Sequence, residues 1–157
     1  MENLELNNNE IEIGDNNIEN EKKYWDSIQD IKWYFLSRNY GIDASKKVTE
    51  FLIKNFTLDE VFDFKNFVVD KRKYLENRIS SYLRILTKDQ RKEYKLSDDG
   101  TWDLCSHIVG MGETVYYYVL HHIDSIFLFQ KDIQENFEYG FDGAIYEINN
   151  KIIDNQN

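Results

Sequence analysis

The chain of 157 residues contains no proline, and its apolar side chains recur at steps of three and four through most of its length. Proline is the strongest breaker of a helix interior, and such steps place apolar side chains along one face of a helix. Only 7 glycines interrupt the pattern, so few positions favour a break. The sequence therefore predicts an all-α fold, a single compact domain of about six to eight helices.

The two ends of the chain differ in composition from its middle. Residues 1–20 hold seven asparagines, six acidic side chains and no Lys or Arg. A segment with so few apolar side chains cannot bury enough surface to offset the conformational entropy lost on folding. We predict a disordered, acidic, Asn-rich tail at residues 1–20, a helical domain at residues 21–150 and a frayed tail at residues 151–157.

The first helix of the body is predicted to run as one piece up to Gly41. Apolar side chains at Trp25, Ile28, Ile31 and Phe35 form its buried stripe. The glycine follows the stripe directly and is expected to end the helix.

Other helix boundaries follow from capping residues. Capping-box patterns at Thr57–Glu60 and Thr87–Gln90 predict helix starts, and the turn residues Ser97–Gly100 predict another. The apolar spacing from residue 102 to residue 119 predicts one long helix, inside which Gly112 packs closely against a second helix. The segment from Phe141 to Ile152 fits either a last helix or a short strand.

Charge is distributed unevenly along the chain. The formal net charge is −10, yet residues 65–95 carry ten basic and four acidic side chains. We interpret this basic segment as lying against the acidic C-terminal half or as a solvated helix face. The alternative is a weak nucleic-acid-binding surface, since Lys and Arg neutralise phosphates. Its basic side chains would be Lys71, Arg72, Lys73, Arg78, Arg84, Arg91 and Lys92.

One group of residues, Asp98, Asp99, Asp103 and His107, has the chemistry of a metal or acid/base site. Asp103 and His107 are four residues apart and share one face of a helix, and the preceding aspartates offer a further oxygen ligand. Acidic residues at a helix start also stabilise the free N–H groups and the helix dipole. We favour this structural role and assign no catalytic residue and no metal.

The single cysteine, Cys105, excludes an intramolecular disulfide within the chain. It lies on an apolar helical stripe, which predicts a buried, unreactive thiol. Gly110 and Gly112 lack the third glycine of a dinucleotide-binding loop, so no cofactor is expected.

Surplus aromatic side chains and separated charges favour binding to another protein over catalysis. Three consecutive tyrosines, residues 116–118, must face several directions of one helix, and exposed tyrosine is typical of interfaces. The candidate interaction residues are Lys71, Arg72, Arg78, Tyr117 and Tyr118.

The N-terminal sequence lacks the basic and apolar regions of a secretory signal. No uncharged apolar stretch approaches the roughly 20 residues that a membrane-spanning helix needs. We therefore expect a soluble, cytoplasmic protein that has no membrane partner.

Several motifs within residues 22–148, taken in order, resemble the family named domain of unknown function 4240. The most specific is Ser97–Gly100 with Gly112 downstream. The chain departs from the family's pattern at Thr101 and His107, where the family has aromatic residues. The resemblance implies the fold and an intracellular habit, and it implies no activity because the family has none established. The other matching motifs are Tyr24–Ile28, Thr57–Val61, Leu104, Ile108–Val109, Tyr116 and Asp124–Ile126.

From these observations we predict a non-catalytic protein-interaction or regulatory module. The first alternative is a metal-assisted hydrolase or acid/base enzyme that uses Asp98, Asp99, Asp103 and His107. The second is weak nucleic-acid binding through residues 65–95. The sequence leaves the partner and the oligomeric state open.

Overall fold

A computed structural model describes residues 8–94, 96–132 and 135–157, with side chains from Glu19 onward except that of Asp132. Within these ranges every regular element is a helix, which confirms the all-α prediction and makes the undecided segment at residues 141–152 helical. The α-helices are α1 (Asn8–Ile31), α2 (Trp33–Tyr40), α3 (Ala44–Asn55), α4 (Leu58–Ile85), α5 (Lys88–Arg91), α6 (Asp98–Gly110), α7 (Glu113–His121) and α8 (Tyr139–Gln156), and 3-10 helices cover Gly41–Asp43 and Ile123–Asp132.

Residues 1–7 of the tail predicted at residues 1–20 lie outside the described residues. From Asn8 onward the backbone is helical and continues into the body of α1. None of the described helices has a run of apolar residues long enough to cross a membrane.

The core is built mainly by α3, α4, α6 and α8. Helix α4 packs against α1, α6 and α8, while α8 also packs along α3. Phe141 of α8 meets Phe64 of α4 edge to face at 5.0 Å between ring centroids, and Phe137 at 5.5 Å. All three rings are fully buried, and each such side chain stabilises the fold by about 1.5–3 kcal/mol.

Both predicted capping boxes are confirmed. The backbone N–H of Thr57 donates to Oε2 of Glu60 at 2.8 Å, and the backbone N–H of Glu60 donates to Oγ1 of Thr57. The helix that starts there, α4, runs for 28 residues without a break. Thr87 and Gln90 form the second box, but α5 has only 4 residues.

The first helix of the body does not run as one piece, so that prediction is wrong. Lys32 adopts a left-handed conformation with φ of 55°, and α2 starts directly after it. The break changes which side chains face the core: Trp33 is fully buried, whereas Phe35 is 56% exposed. Non-glycine residues rarely adopt positive φ, so apolar spacing alone does not reveal such a break.

The prediction of one long helix over residues 102–119 is also wrong, and so is the packing role given to Gly112. Helix α6 ends at Gly110 and α7 begins at Glu113, with Gly112 between them at φ of 103°. A Cβ at Gly112 would meet no atom within 4 Å, whereas at Gly110 it would lie 2.6 Å from Trp33. Gly110 therefore permits the close approach, and Gly112 permits the backbone turn.

Candidate functional site

A cleft of about 690 Å³ lies between α1, α4 and α7. Its volume falls in the range of pockets that bind small molecules or the side chains of a partner. Five of its lining residues are aromatic and most of the others are polar. They are Asn20, Glu21 and Tyr24 from α1; Asp63, Asn66, Phe67, Asp70, Lys71 and Tyr74 from α4; and Tyr116, Tyr117 and Leu120 from α7.

Helix α4 supplies half of this lining because the contributing residues recur at steps of three and four. Asp63, Phe67, Asp70 and Tyr74 therefore share one face of the helix. The capping box at Thr57 fixes the start of α4, and the unbroken helix carries the register to the end of the cleft.

Tyr24 anchors the α1 side of the cleft. Its ring stacks on Phe64 at 4.8 Å and packs against Phe67 at 5.1 Å between centroids. Burial raises the pKa of the Tyr24 hydroxyl above its ordinary value, and the nearby carboxylates of Asp63 and Glu60 raise it further. The hydroxyl is therefore neutral and can donate a hydrogen bond at physiological pH.

The α7 wall consists of one buried and one exposed tyrosine. Tyr116 is fully buried, and its hydroxyl donates to the backbone carbonyl of Lys71 at 3.1 Å. Its ring packs against Trp25 at 5.3 Å and against Tyr117 at 5.2 Å. Tyr117 is 37% exposed, so part of its ring is available to a ligand.

The cleft has an acidic lining: three carboxylates face one ammonium group. Nζ of Lys71 contacts both carboxylate oxygens of Glu21, at 3.2 and 3.4 Å, and lies 5.3 Å from the centroid of the Phe67 ring. Asp63 and Asp70 form neither a hydrogen bond nor an ion pair through their side chains with any residue that the structure describes. Within the part of the chain that the structure describes, these two carboxylates of the cleft therefore have no cationic partner.

Of the five predicted interaction residues, the structure brings two to this cleft, Lys71 and Tyr117. Arg78 is exposed on α4 but does not line the cleft. Tyr118 is exposed, and its ring stacks on His122 at 4.6 Å. Arg72 lies on a different face of α4, where its side chain is only 12% exposed.

Arg72 belongs to a buried polar network between α4, α6 and the segment that precedes α8. Its Nε contacts Oε2 of Glu138 at 2.7 Å, and a terminal nitrogen contacts Glu76 at 2.9 Å. The indole N–H of Trp102 also donates to Glu138, at 2.9 Å, and the Arg72 guanidinium lies over the Trp102 ring. Because the Arg72 side chain is only 12% exposed and is paired with Glu138 and Glu76, Arg72 is not an accessible interaction residue.

The network continues through Asn136, which is only 2% exposed. Its side-chain amide donates to Asp103 at 2.7 Å, while its carbonyl oxygen accepts from Ser106 at 2.9 Å and from the backbone N–H of Glu138 at 2.9 Å. Asp103 thus orients a buried amide, which is a structural role.

The four candidate metal ligands are not brought together. Asp98 and Asp99 are exposed in the first turn of α6, after Ser97, whose Oγ accepts from the backbone N–H of Gly100 at 3.1 Å. His107 is fully buried, and its Nδ1 accepts a hydrogen bond from Trp33. Within the described ranges, no group of three His, Cys, Asp or Glu side chains is placed to hold a metal ion.

The basic segment at residues 65–95 pairs in part with acidic side chains elsewhere in the fold. Lys65 contacts Asp142 of α8, Lys71 contacts Glu21 of α1, and Arg72 contacts Glu138. Two of these partners, Asp142 and Glu138, belong to the acidic C-terminal half, whereas Glu21 belongs to α1.

Sequence reasoning missed Tyr24, Asp63 and Asp70 as site residues. The spacing of Asp63, Phe67 and Asp70 on a helix would have placed two carboxylates and a ring on one face. That spacing does not indicate that α1 and α7 leave this face of α4 accessible to a ligand. No protein-family model matches the chain, and no curated protein or solved structure shows significant similarity to it.

Proposed function

We propose that the protein is a non-catalytic protein-interaction module that binds its partner in the cleft between α1, α4 and α7. The observation that carries the proposal is the cleft itself, with its aromatic walls and two carboxylates that form no ion pair with any described residue. Aromatic rings bury large areas at little entropic expense, and for this reason tyrosine is enriched at binding surfaces.

The charge of the lining supports a cationic segment of another protein as the occupant. Asp63 and Asp70 attract basic side chains, and the faces of the Tyr and Phe rings favour cations as well. The chain's own residues 1–19 carry six acidic side chains and no basic one, so their charge does not complement this lining.

Two further expectations remain part of this proposal. Membership of the family named domain of unknown function 4240 would be compatible with it, because that family has no established activity. A cytoplasmic location is compatible with a single, buried cysteine, since proteins of reducing compartments rarely rely on disulfides.

The test compares two neighbouring tyrosines, of which Tyr117 lines the cleft and Tyr118 does not. Tagged wild-type protein and the variants Tyr117→Ala and Tyr118→Ala are used to capture proteins from a lysate of the source cells. We expect a specific set of proteins to be lost with Tyr117→Ala and kept with Tyr118→Ala. Equal capture by all three proteins would contradict the proposal.

A further inference from the structure

We infer that the partner binds the cleft through a helical segment that carries two basic side chains about 10 Å apart with an apolar side chain between them. This inference rests on the proposed function and specifies the chemistry of the partner. It is derived from the positions of Asp63, Phe67 and Asp70 on α4.

The two carboxylates lie at a fixed separation. Asp63 and Asp70 are seven residues apart in an unbroken helix, which corresponds to about two turns and about 10 Å along the axis. Phe67 lies between them on the same face, and its ring forms part of the cleft wall. The lining therefore alternates carboxylate, aromatic ring and carboxylate.

Lys71 shows how a cation is held at this surface. Its ammonium group lies over Phe67 and is paired with Glu21, so that a ring and a carboxylate act on it together. Asp63 and Asp70 precede and follow Phe67 on the same face of α4, and they have no such cation among the described residues. A basic side chain from a partner would pair with each of these two carboxylates.

A helix fits this surface better than an extended peptide does. An extended segment needs hydrogen-bond partners for its backbone, which it usually obtains from a free strand edge. The described part of the chain offers no strand. A helix satisfies its own backbone, and basic residues at positions i and i+7 of a helix have the same spacing as Asp63 and Asp70.

Exposed ion pairs are individually weak, so these carboxylates contribute more to selection than to affinity. The apolar side chain of the partner packs on the partly exposed rings of Tyr24 and Tyr117, beside Phe67, which is itself only 8% exposed. This contact provides most of the binding free energy. A partner whose basic residues have another spacing cannot reach both carboxylates while it keeps this apolar contact.

The test uses two fluorescein-labelled helical peptides of identical composition and the full chain. One peptide has lysines at i and i+7 with leucine between them on the same face; in the other the lysines are at i and i+5, on different faces. We expect the first peptide to bind about threefold more tightly in fluorescence anisotropy, because only it reaches both carboxylates and each exposed ion pair is worth up to about 1 kcal/mol. Equal affinity for the two peptides would overturn the inference.

Variants connect this selectivity to the two carboxylates. Asp63→Asn and Asp70→Asn are each expected to weaken binding of the i, i+7 peptide about threefold, and the double variant should bind both peptides equally. Asp30→Asn, an exposed position on α1 outside the cleft, is the control and should change nothing. Undiminished selectivity in the double variant would overturn the inference.

The remaining outcomes separate this inference from the proposed function. If capture depends on Tyr117 but peptide affinity does not depend on the lysine spacing, the inference is overturned and the proposed function is retained. Sedimentation of the chain alone tests whether a second copy occupies the cleft. A dimer that is lost in the double variant would also overturn the inference.

Discussion

The indole N–H of Trp33 donates a hydrogen bond to Nδ1 of His107 at 3.0 Å, although 74 positions separate the two residues in the sequence. Both side chains are fully buried, so the bond joins α2 to α6 inside the core. Because Nδ1 accepts this bond, it carries a lone pair rather than a proton. His107 therefore packs in the core, which is the role that an aromatic residue would have at the same position.

Removing either partner of this bond should destabilise the protein. Trp33→Phe and His107→Phe each leave one buried polar group without its partner, at an expected loss of about 1–3 kcal/mol in the free energy of unfolding. The double variant should lose less than the sum of the two, because no unpaired member of the bond remains. Urea titration measures all three values, and strict additivity would contradict a direct interaction.

Two neighbouring glycines should respond differently to larger side chains. Gly112→Ala and Gly112→Leu are expected to lose similar stability, about 1–2 kcal/mol, because the positive φ is unfavourable for both and the surrounding space is open. Gly110→Ala should lose at least as much, because its Cβ would collide with Trp33 and Phe137. Melting temperatures measure the differences. A far larger loss for Gly112→Leu than for Gly112→Ala would restore the packing role.

The buried ion pair of Arg72 and Glu138 should be sensitive to the loss of one partner. Arg72→Met leaves the Glu138 carboxylate buried and unpaired, and we expect a loss of about 3–5 kcal/mol. Lys22→Met is the control: it removes one member of an exposed pair with Asp26 on α1 and should leave stability almost unchanged, because solvent screens such pairs. Urea titration measures the free energy of unfolding of both variants. Equal losses of stability would show that the burial of Arg72 has no energetic consequence.

Alkaline pH should destabilise the fold through Cys105 and Tyr116. Burial raises the pKa of the Cys105 thiol and that of the Tyr116 hydroxyl far above their ordinary values of 9.0 and 10.0. The unfolded chain therefore loses these protons at lower pH than the folded chain does. The free energy of unfolding should be constant below about pH 8 and should fall above about pH 9, by up to about 1.4 kcal/mol per pH unit for each group.

Urea titrations between pH 7 and pH 11 measure this dependence. Cys105→Ala and Tyr116→Phe should each flatten the decline, whereas Tyr118→Phe, at an exposed position, should leave it unchanged. The same burial predicts that Cys105 reacts with a thiol reagent only after unfolding. Rapid modification of the native protein would contradict the buried position.

The sequence was most informative where local chemistry decides the structure. The capping boxes at Thr57 and Thr87 form as predicted because their hydrogen bonds join residues only three positions apart. Ser97 accepts from the backbone of Gly100 for the same reason. Cys105 is buried as its place on an apolar stripe indicated.

The sequence was least informative where tertiary packing or an unusual backbone conformation determines the structure. Apolar spacing continues across Lys32 and Gly112, so periodicity gave no sign of the two breaks. The pairing of Arg72 with Glu138 joins residues that are far apart in the sequence, and the charge pattern indicated only that basic and acidic segments meet. The cleft depends on how three helices are arranged, which no local motif encodes.

Lys71 and Arg72 are adjacent in α4, yet the first lines the cleft and the second belongs to the buried network. One helical turn is therefore shared by the binding surface and by the polar centre that joins α4 to α6. An occupant that restrains this turn would also slow the hydrogen exchange of backbone amides around Glu138. The backbone amides around Glu138 thus offer a readout of occupancy that does not require labelling the cleft.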